Sequence, residues 1–201
     1  MVDQYNGIRI CFVGESFVNG TGDSTFLGWT GRLCIGLVKR GFNVTHYNLG
    51  IRRETSSALL QRWVAECDRR FAPACDNRIV FSFGTNDTTL ENGKTRVALS
   101  DSIENTRKIL SIAKQKCLVL MISPGAIVDD EQNQRTQILS NHFAQLCAEL
   151  DIPYLDVIST LRQCPDWMQE VEAGDGAHPD AKGYTEYARL VQNWSAWKNW
   201  F

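Results

Sequence analysis

Four short stretches of the chain carry the residue types that acyl transfer by a serine requires. They are Gly14-Glu15-Ser16, Asn48-Leu49-Gly50, Gly84-Thr85-Asn86-Asp87 and Asp175-Gly176-Ala177-His178-Pro179. Such chemistry needs a nucleophile, a base that takes its proton, a carboxylate that orients the base, and donors for the oxyanion that develops on the substrate carbonyl. Ser16 offers the nucleophile, His178 the base, Asp175 the orienting carboxylate, and Asn86 and Gly50 the donors. The three-residue separation of Asp175 from His178 lets the carboxylate curl back onto Nδ1 and select the tautomer.

Three of the stretches also have a plainer reading. A serine after a strand is usually a loop or cap residue, Gly-Thr-Asn-Asp makes a good turn in any protein, and Asp175 and His178 fit a turn before a helix. A glycine-rich dinucleotide loop is excluded by spacing, because Gly14, Gly20 and Gly22 do not form GxGxxG. Of the other histidines, His46 falls within a strand and His142 within a helix, where structural roles dominate. Asp23, Asp87, Asp175 and His178 lack metal-ligand spacing, so neither metal nor cofactor is expected.

The elements that must position these residues alternate in type. Apolar runs at Ile8–Val13, Asn43–Asn48, Arg78–Phe83, Cys117–Ile122 and Pro153–Val157 read as strands. Amphipathic stretches between them read as helices over 26–40, from Ser56 or Ser57 to 70, over 95–115 and over 130–150. The region before Gly174 reads as loose, and a last helix runs from Pro179 to the C-terminus. The expected fold is α/β, a three-layer α/β/α sandwich around a five-stranded parallel sheet, in one domain spanning 1–201. Right-handed crossovers favour the strand order 2-1-3-4-5. That order sets Ser16, after strand 1, between Gly50 after strand 2 and Asn86 after strand 3. Asp175 and His178 must then cross about three strand spacings of ~4.8 Å, which the segment from Ile158 to Gly174 easily spans.

Bulk properties narrow the function classes. The 201 residues are 43% hydrophobic and 22% charged, with 21 basic and 23 acidic side chains for a net charge of −2. No basic stripe offers a footprint for nucleic acid, no apolar run approaches the ~18 residues of a membrane span, and the N-terminus lacks a signal-peptide pattern, so a cytoplasmic location is expected. The seven cysteines are scattered without a CxxC pair and read as buried reduced thiols. Leu190, Trp194, Trp197 and Phe201 share one helical face, which suits packing on the sheet and leaves a homo-oligomer contact open.

Taken in order, the four stretches resemble the sequence blocks of the GDSL/SGNH hydrolase family. Gly14-Glu15-Ser16-Phe17 is similar to its Gly-Asp-Ser block, Asn48-Leu49-Gly50 to its glycine block, Gly84-Thr85-Asn86-Asp87 to its Gly-x-Asn-Asp block, and Asp175 to His178 to its Asp-x-x-His block. The resemblance implies a flavodoxin-like fold and metal-independent hydrolysis of small-molecule acyl esters or thioesters. It also implies that Ser16, Asp175 and His178 are catalytic and that Ser16 N–H, Gly50 N–H and the Asn86 amide form the oxyanion hole. A carbohydrate O-acetylesterase of the same fold is the alternative within the class, and a non-catalytic binding module the alternative outside it. Two departures stand out: Glu15 occupies the place of the usual Asp, and Arg52 and Arg53 come after Gly50 where small residues are common. The arginines are candidates for substrate binding by holding an anionic leaving group, with solvated surface charge the commoner reading of such residues.

Overall fold

The computed structural model describes residues 7–201. In chain order the elements are β1 (Ile8–Gly14), α1 (Ser16–Asn19), α2 (Gly28–Lys39), β2 (Val44–Gly50), α3 (Ser56–Asp68), β3 (Asp76–Ser82), β4 (Leu90–Glu91), β5 (Lys94–Thr95), α4 (Leu99–Lys116), β6 (Leu118–Ile122), α5 (Asp130–Glu149), β7 (Tyr154–Leu155), α6 (Ile158–Leu161), α7 (Pro165–Ala173), α8 (Ala181–Asn193) and α9 (Ser195–Lys198). The main sheet is parallel in the order β2-β1-β3-β6-β7. This is the expected five-strand order, with a two-stranded antiparallel hairpin, β4-β5, added between its third and fourth strands.

Because helices cover both faces, the strands are apolar at successive positions rather than at alternate ones. Ile10 and Phe12 of β1 face one core, with Val80, Leu120, Trp29, Tyr187 and Trp197. Cys11 and Val13 face the other, with Ile79, Phe81, Trp63, Leu110 and Phe143. The C-terminal aromatic face joins the first core: Trp197 is buried, and Leu190, Trp194 and Phe201 pack partly buried against it. Burial pushes the Cys34 and Cys147 thiols up to about 12, as befits cysteines used as small hydrophobes.

Several boundaries depart from the sequence reading for local reasons. The first long helix starts at Gly28 because Phe26 holds φ 58°, a left-handed conformation that no helix interior tolerates. Thr55, rather than Ser56 or Ser57, caps α3 through its hydroxyl to the Ala58 N–H. Strand β7 keeps only two residues, since Val157 already adopts a helical conformation that leads into α6. The last helix begins at Ala181 behind an Asp180 cap and breaks at Trp194, whose extended backbone separates α8 from α9. The region read as loose contains α7, with Pro165 in its first turn.

The sheet register fixes where the carboxyl ends of the strands stand. Gly14, Gly50 and Ser82 are directly paired, so β1, β2 and β3 end level with one another. A Cβ on Gly14 would lie 1.9 Å from the Ser82 carbonyl oxygen, and one on Gly50 would lie 2.2 Å from the Asn19 nitrogen. Only glycine permits backbones this close.

Candidate active site

Ser16 comes directly after β1 and opens α1, so its own N–H has no intrahelical acceptor. Its Oγ lies 2.7 Å from His178 Nε2. His178 Nδ1 lies 2.7 Å from Asp175 Oδ2, while Asp175 Oδ1 accepts the N–H groups of Ala177 and His178 at 3.0 and 2.8 Å. Partial burial would raise the Asp175 carboxyl, but the hydrogen bonds from His178 and Ala177 outweigh it and hold the group down at about 2. Asp175 is therefore ionised throughout the neutral range and keeps a proton on Nδ1, which leaves Nε2 to face the serine.

The loop that carries His178 is anchored on two sides. Val128 N–H donates to the Gly176 carbonyl at 2.9 Å, and Asp180 accepts the Ser24 N–H at 2.7 Å. The 20–28 loop is itself organised by buried Asp23, which accepts the N–H groups of Thr25 and Gly28 and pairs with Arg32. Phe17 packs its ring 5.4 Å from the imidazole and 5.6 Å from Trp167, a floor under His178.

On the other side of Ser16 stand the candidate oxyanion donors, both already engaged. Asn86 Nδ2 donates to Glu15 Oε2, and the backbone N–H groups of Thr85 and Asn86 reach the same carboxylate at 3.1 and 3.2 Å. Gly50 N–H donates to Asn48 Oδ1 at 3.0 Å, while Asn48 Nδ2 donates to the Val18 carbonyl at 2.7 Å. Asn48 thus joins the end of β2 to α1. Its signal was in the sequence, since an Asn two residues before a glycine is a common side-chain turn. Arg62, from α3, adds a brace behind the shelf: it donates to the Leu49 carbonyl at 2.8 Å and pairs with Glu54.

A cleft of about 140 Å³ opens over these groups, lined among others by Ser16, Arg52, Arg53, Asn86, Gln132 and His178. Arg52 and Arg53 are exposed at its edge, and Arg53 lies 3.6 Å from Glu91. The other sequence candidates are dispersed. His46 is half-buried and meets the Thr30 hydroxyl at 3.0 Å, with its pKa lowered by burial. Asp87 is buried beneath the turn, where it accepts Ser56 N–H and the Ser102 hydroxyl. Among the described residues no group of three or more His, Cys, Asp or Glu side chains is placed to hold a metal ion.

A family model described as GDSL-like lipase/acylhydrolase matches residues 12–185. The chain belongs to this family. As a GDSL-like acylhydrolase it is a hydrolase of carboxylic esters. Its fold is similar to that of a lipase/acylhydrolase from Enterococcus faecalis, at TM-score 0.73 and 22% identity over 91% of this chain and 92% of the other. It is also similar to an acetylxylan esterase from Geobacillus stearothermophilus, at TM-score 0.75 and 16% identity over 92% of each chain. A lipolytic G-D-S-L family protein from Veillonella parvula gives TM-score 0.74 and 20% identity over 94% of this chain and 99% of the other. No curated protein matches the sequence. No helix among the described residues of this GDSL-like chain is long and apolar enough to cross a membrane.

Proposed function

We propose that this acylhydrolase cleaves short-chain carboxylic esters through an acyl-enzyme formed on Ser16, working as one catalytic domain. The observation that carries the reading is the unbroken hydrogen-bonded line from Asp175 through His178 to Ser16, with 2.7 Å at each side-chain contact. His178 Nε2 takes the Ser16 proton as Oγ attacks the carbonyl carbon, and Asp175 stabilises the imidazolium that forms. The carbonyl oxygen becomes an oxyanion held by the Ser16 N–H and the second hydrogen of the Asn86 amide. The Gly50 N–H joins when that oxygen displaces Asn48 Oδ1. His178 then protonates the departing alcohol. A water molecule, deprotonated by the same imidazole, attacks the acyl-serine and releases the acid.

The cleft volume supports a short acyl group, because clefts that engulf drug-sized ligands usually measure about 300–1,000 Å³. Arg52 and Arg53 stand at the edge of the cleft and would contact the leaving-group side of the substrate. The acetylxylan esterase of similar fold makes an O-acetylated sugar the second reading, favoured by the same small cleft and its polar rim.

The test is release of p-nitrophenol from p-nitrophenyl acetate, compared with butyrate and octanoate esters and with an acetylated xylo-oligosaccharide. A folded wild-type protein that turns over none of them, and whose Ser16 resists a fluorophosphonate probe, would make the chain a binding module instead.

A further inference from the structure

Glu15 lies between the last residue of β1 and the nucleophile, is 1% exposed, and does not cap the short helix that begins at Ser16. Its carboxylate turns instead to the neighbouring strand end. There it accepts the N–H groups of Thr85 and Asn86 and the Asn86 side-chain amide. A buried carboxylate is costly unless hydrogen-bonded, and these partners are neutral N–H groups rather than a cation. Such an arrangement is a poor way to gain stability and an effective way to fix a geometry.

An ionised carboxylate only accepts hydrogen bonds, whereas an asparagine amide presents an acceptor on one side and two donors on the other. Facing Glu15, the amide must turn its NH2 group inward, because the flipped orientation would set a carbonyl oxygen against a carboxylate oxygen. One N–H is then spent on Glu15, and the other remains for the cleft that Asn86 lines. We propose that Glu15 is the positioning residue of the oxyanion donor: in its ionised form it fixes the Asn86 amide with an N–H toward the substrate oxygen. The proposal rests on the esterase reading above.

Ionisation makes the device sensitive to pH. Protonated Glu15 would point an O–H at a ring of N–H donors and lose part of its hold. Burial pushes this carboxyl up from 4.5 to about 7, and the nearby Asp87 adds to the rise against the pull of the Asn86 and Thr85 hydrogen bonds. From α8 the neutral Tyr187 hydroxyl is a further titratable group coupled to it, and His178 bonds the side chain of the next residue, Ser16. Protonation of Glu15 should therefore lower turnover without abolishing it.

The test is steady-state hydrolysis of p-nitrophenyl acetate by the full chain between pH 5 and 9, for wild type, Glu15→Gln, Asn86→Ala and the double variant. Glu15→Gln should lower kcat about tenfold with KM within about twofold, since part of an oxyanion donor worth on the order of 10²–10³ in rate is misdirected. The same substitution should cost little once Asn86 is already alanine, because there is no amide left to orient. The advantage of wild type over Glu15→Gln in kcat should shrink as pH falls below about 7, where Glu15 becomes neutral like the glutamine. A kcat within twofold of wild type, or an equal loss in both Asn86 backgrounds, overturns the proposal. If Glu15→Gln fails to fold, Glu15→Ala, which removes the acceptor altogether, is read in the same two backgrounds and decides by the same coupling. Absence of Ser16-dependent turnover in wild type would instead count against the esterase reading itself.

Discussion

His178 Nε2 meets Ser16 Oγ at 2.7 Å, although 162 residues of chain separate them. Replacing Ser16 by alanine removes the hydroxyl on which the proposed acyl-enzyme forms. Ester turnover should fall by at least about 10⁴-fold, while the unfolding free energy should change by no more than about 1 kcal/mol, the net worth of one ordinary hydrogen bond. Activity assays paired with denaturant melts check both halves.

Asp175→Asn preserves shape but leaves Nδ1 without an acceptor that demands a proton. Where comparable orienting aspartates are amidated, kcat falls by roughly 10⁴-fold, and a loss of that order is expected here with KM little changed. The same contact gives stability a dependence on acid. With its carboxyl lowered from 3.8 to about 2, Asp175 contributes stability that is present above pH 3.8 and lost as pH falls toward 2. Titration of Asp175 followed by NMR should show no protonation above pH 4.

Glu15 has the opposite sign. Its carboxyl is raised from 4.5 to about 7 on folding, so its contribution to stability is intact below pH 4.5 and disappears as pH climbs through 7. The shift corresponds to a loss of roughly 3 kcal/mol across that window. Glu15→Gln, which cannot ionise, should therefore be more stable than wild type at pH 8.5 and lose that advantage near pH 4.5, as read by urea midpoints at the two values.

Arg52 and Arg53 give a prediction about the substrate. Arg52→Ala should raise KM about tenfold for an ester whose alcohol carries a carboxylate and leave a neutral ester unaffected, because a charge-assisted hydrogen bond would be lost only in the first case. Added salt should weaken the wild-type preference, since both side chains are exposed. Equal KM changes for charged and neutral esters would assign these arginines to the solvated surface.

The sheet order was legible because five apolar runs and their helical connections leave few right-handed solutions. The approach of the Ser16 and Asn86 blocks was legible too, since strand order alone brings the ends of β1 and β3 together, while the reach of His178 rested on the length of the segment from Ile158 to Gly174. Contacts that depend on side-chain direction were not. Nothing in the local sequence shows that Glu15 turns away from its own helix to reach Asn86. The missed helix α7 is a different case: Pro165 followed by Asp166 is a helix-start signal, obscured by the short segment between Gln163 and Gly174. Phe26 looked like the first residue of a helix because its apolar type fits the periodicity, and its left-handed backbone is invisible in that pattern.

The level ending of β1, β2 and β3 separates what must keep its shape from what can be rewritten. Gly14, Gly50 and Ser82 are locked in register, and neither glycine has room for a single added methyl group. Arg52 and Arg53 lie just past that edge, outside the ladder, and both are exposed. If the proposed contact of these arginines with the leaving group holds, ester preference can change at the rim alone while the glycine-tight strand ends stay as they are.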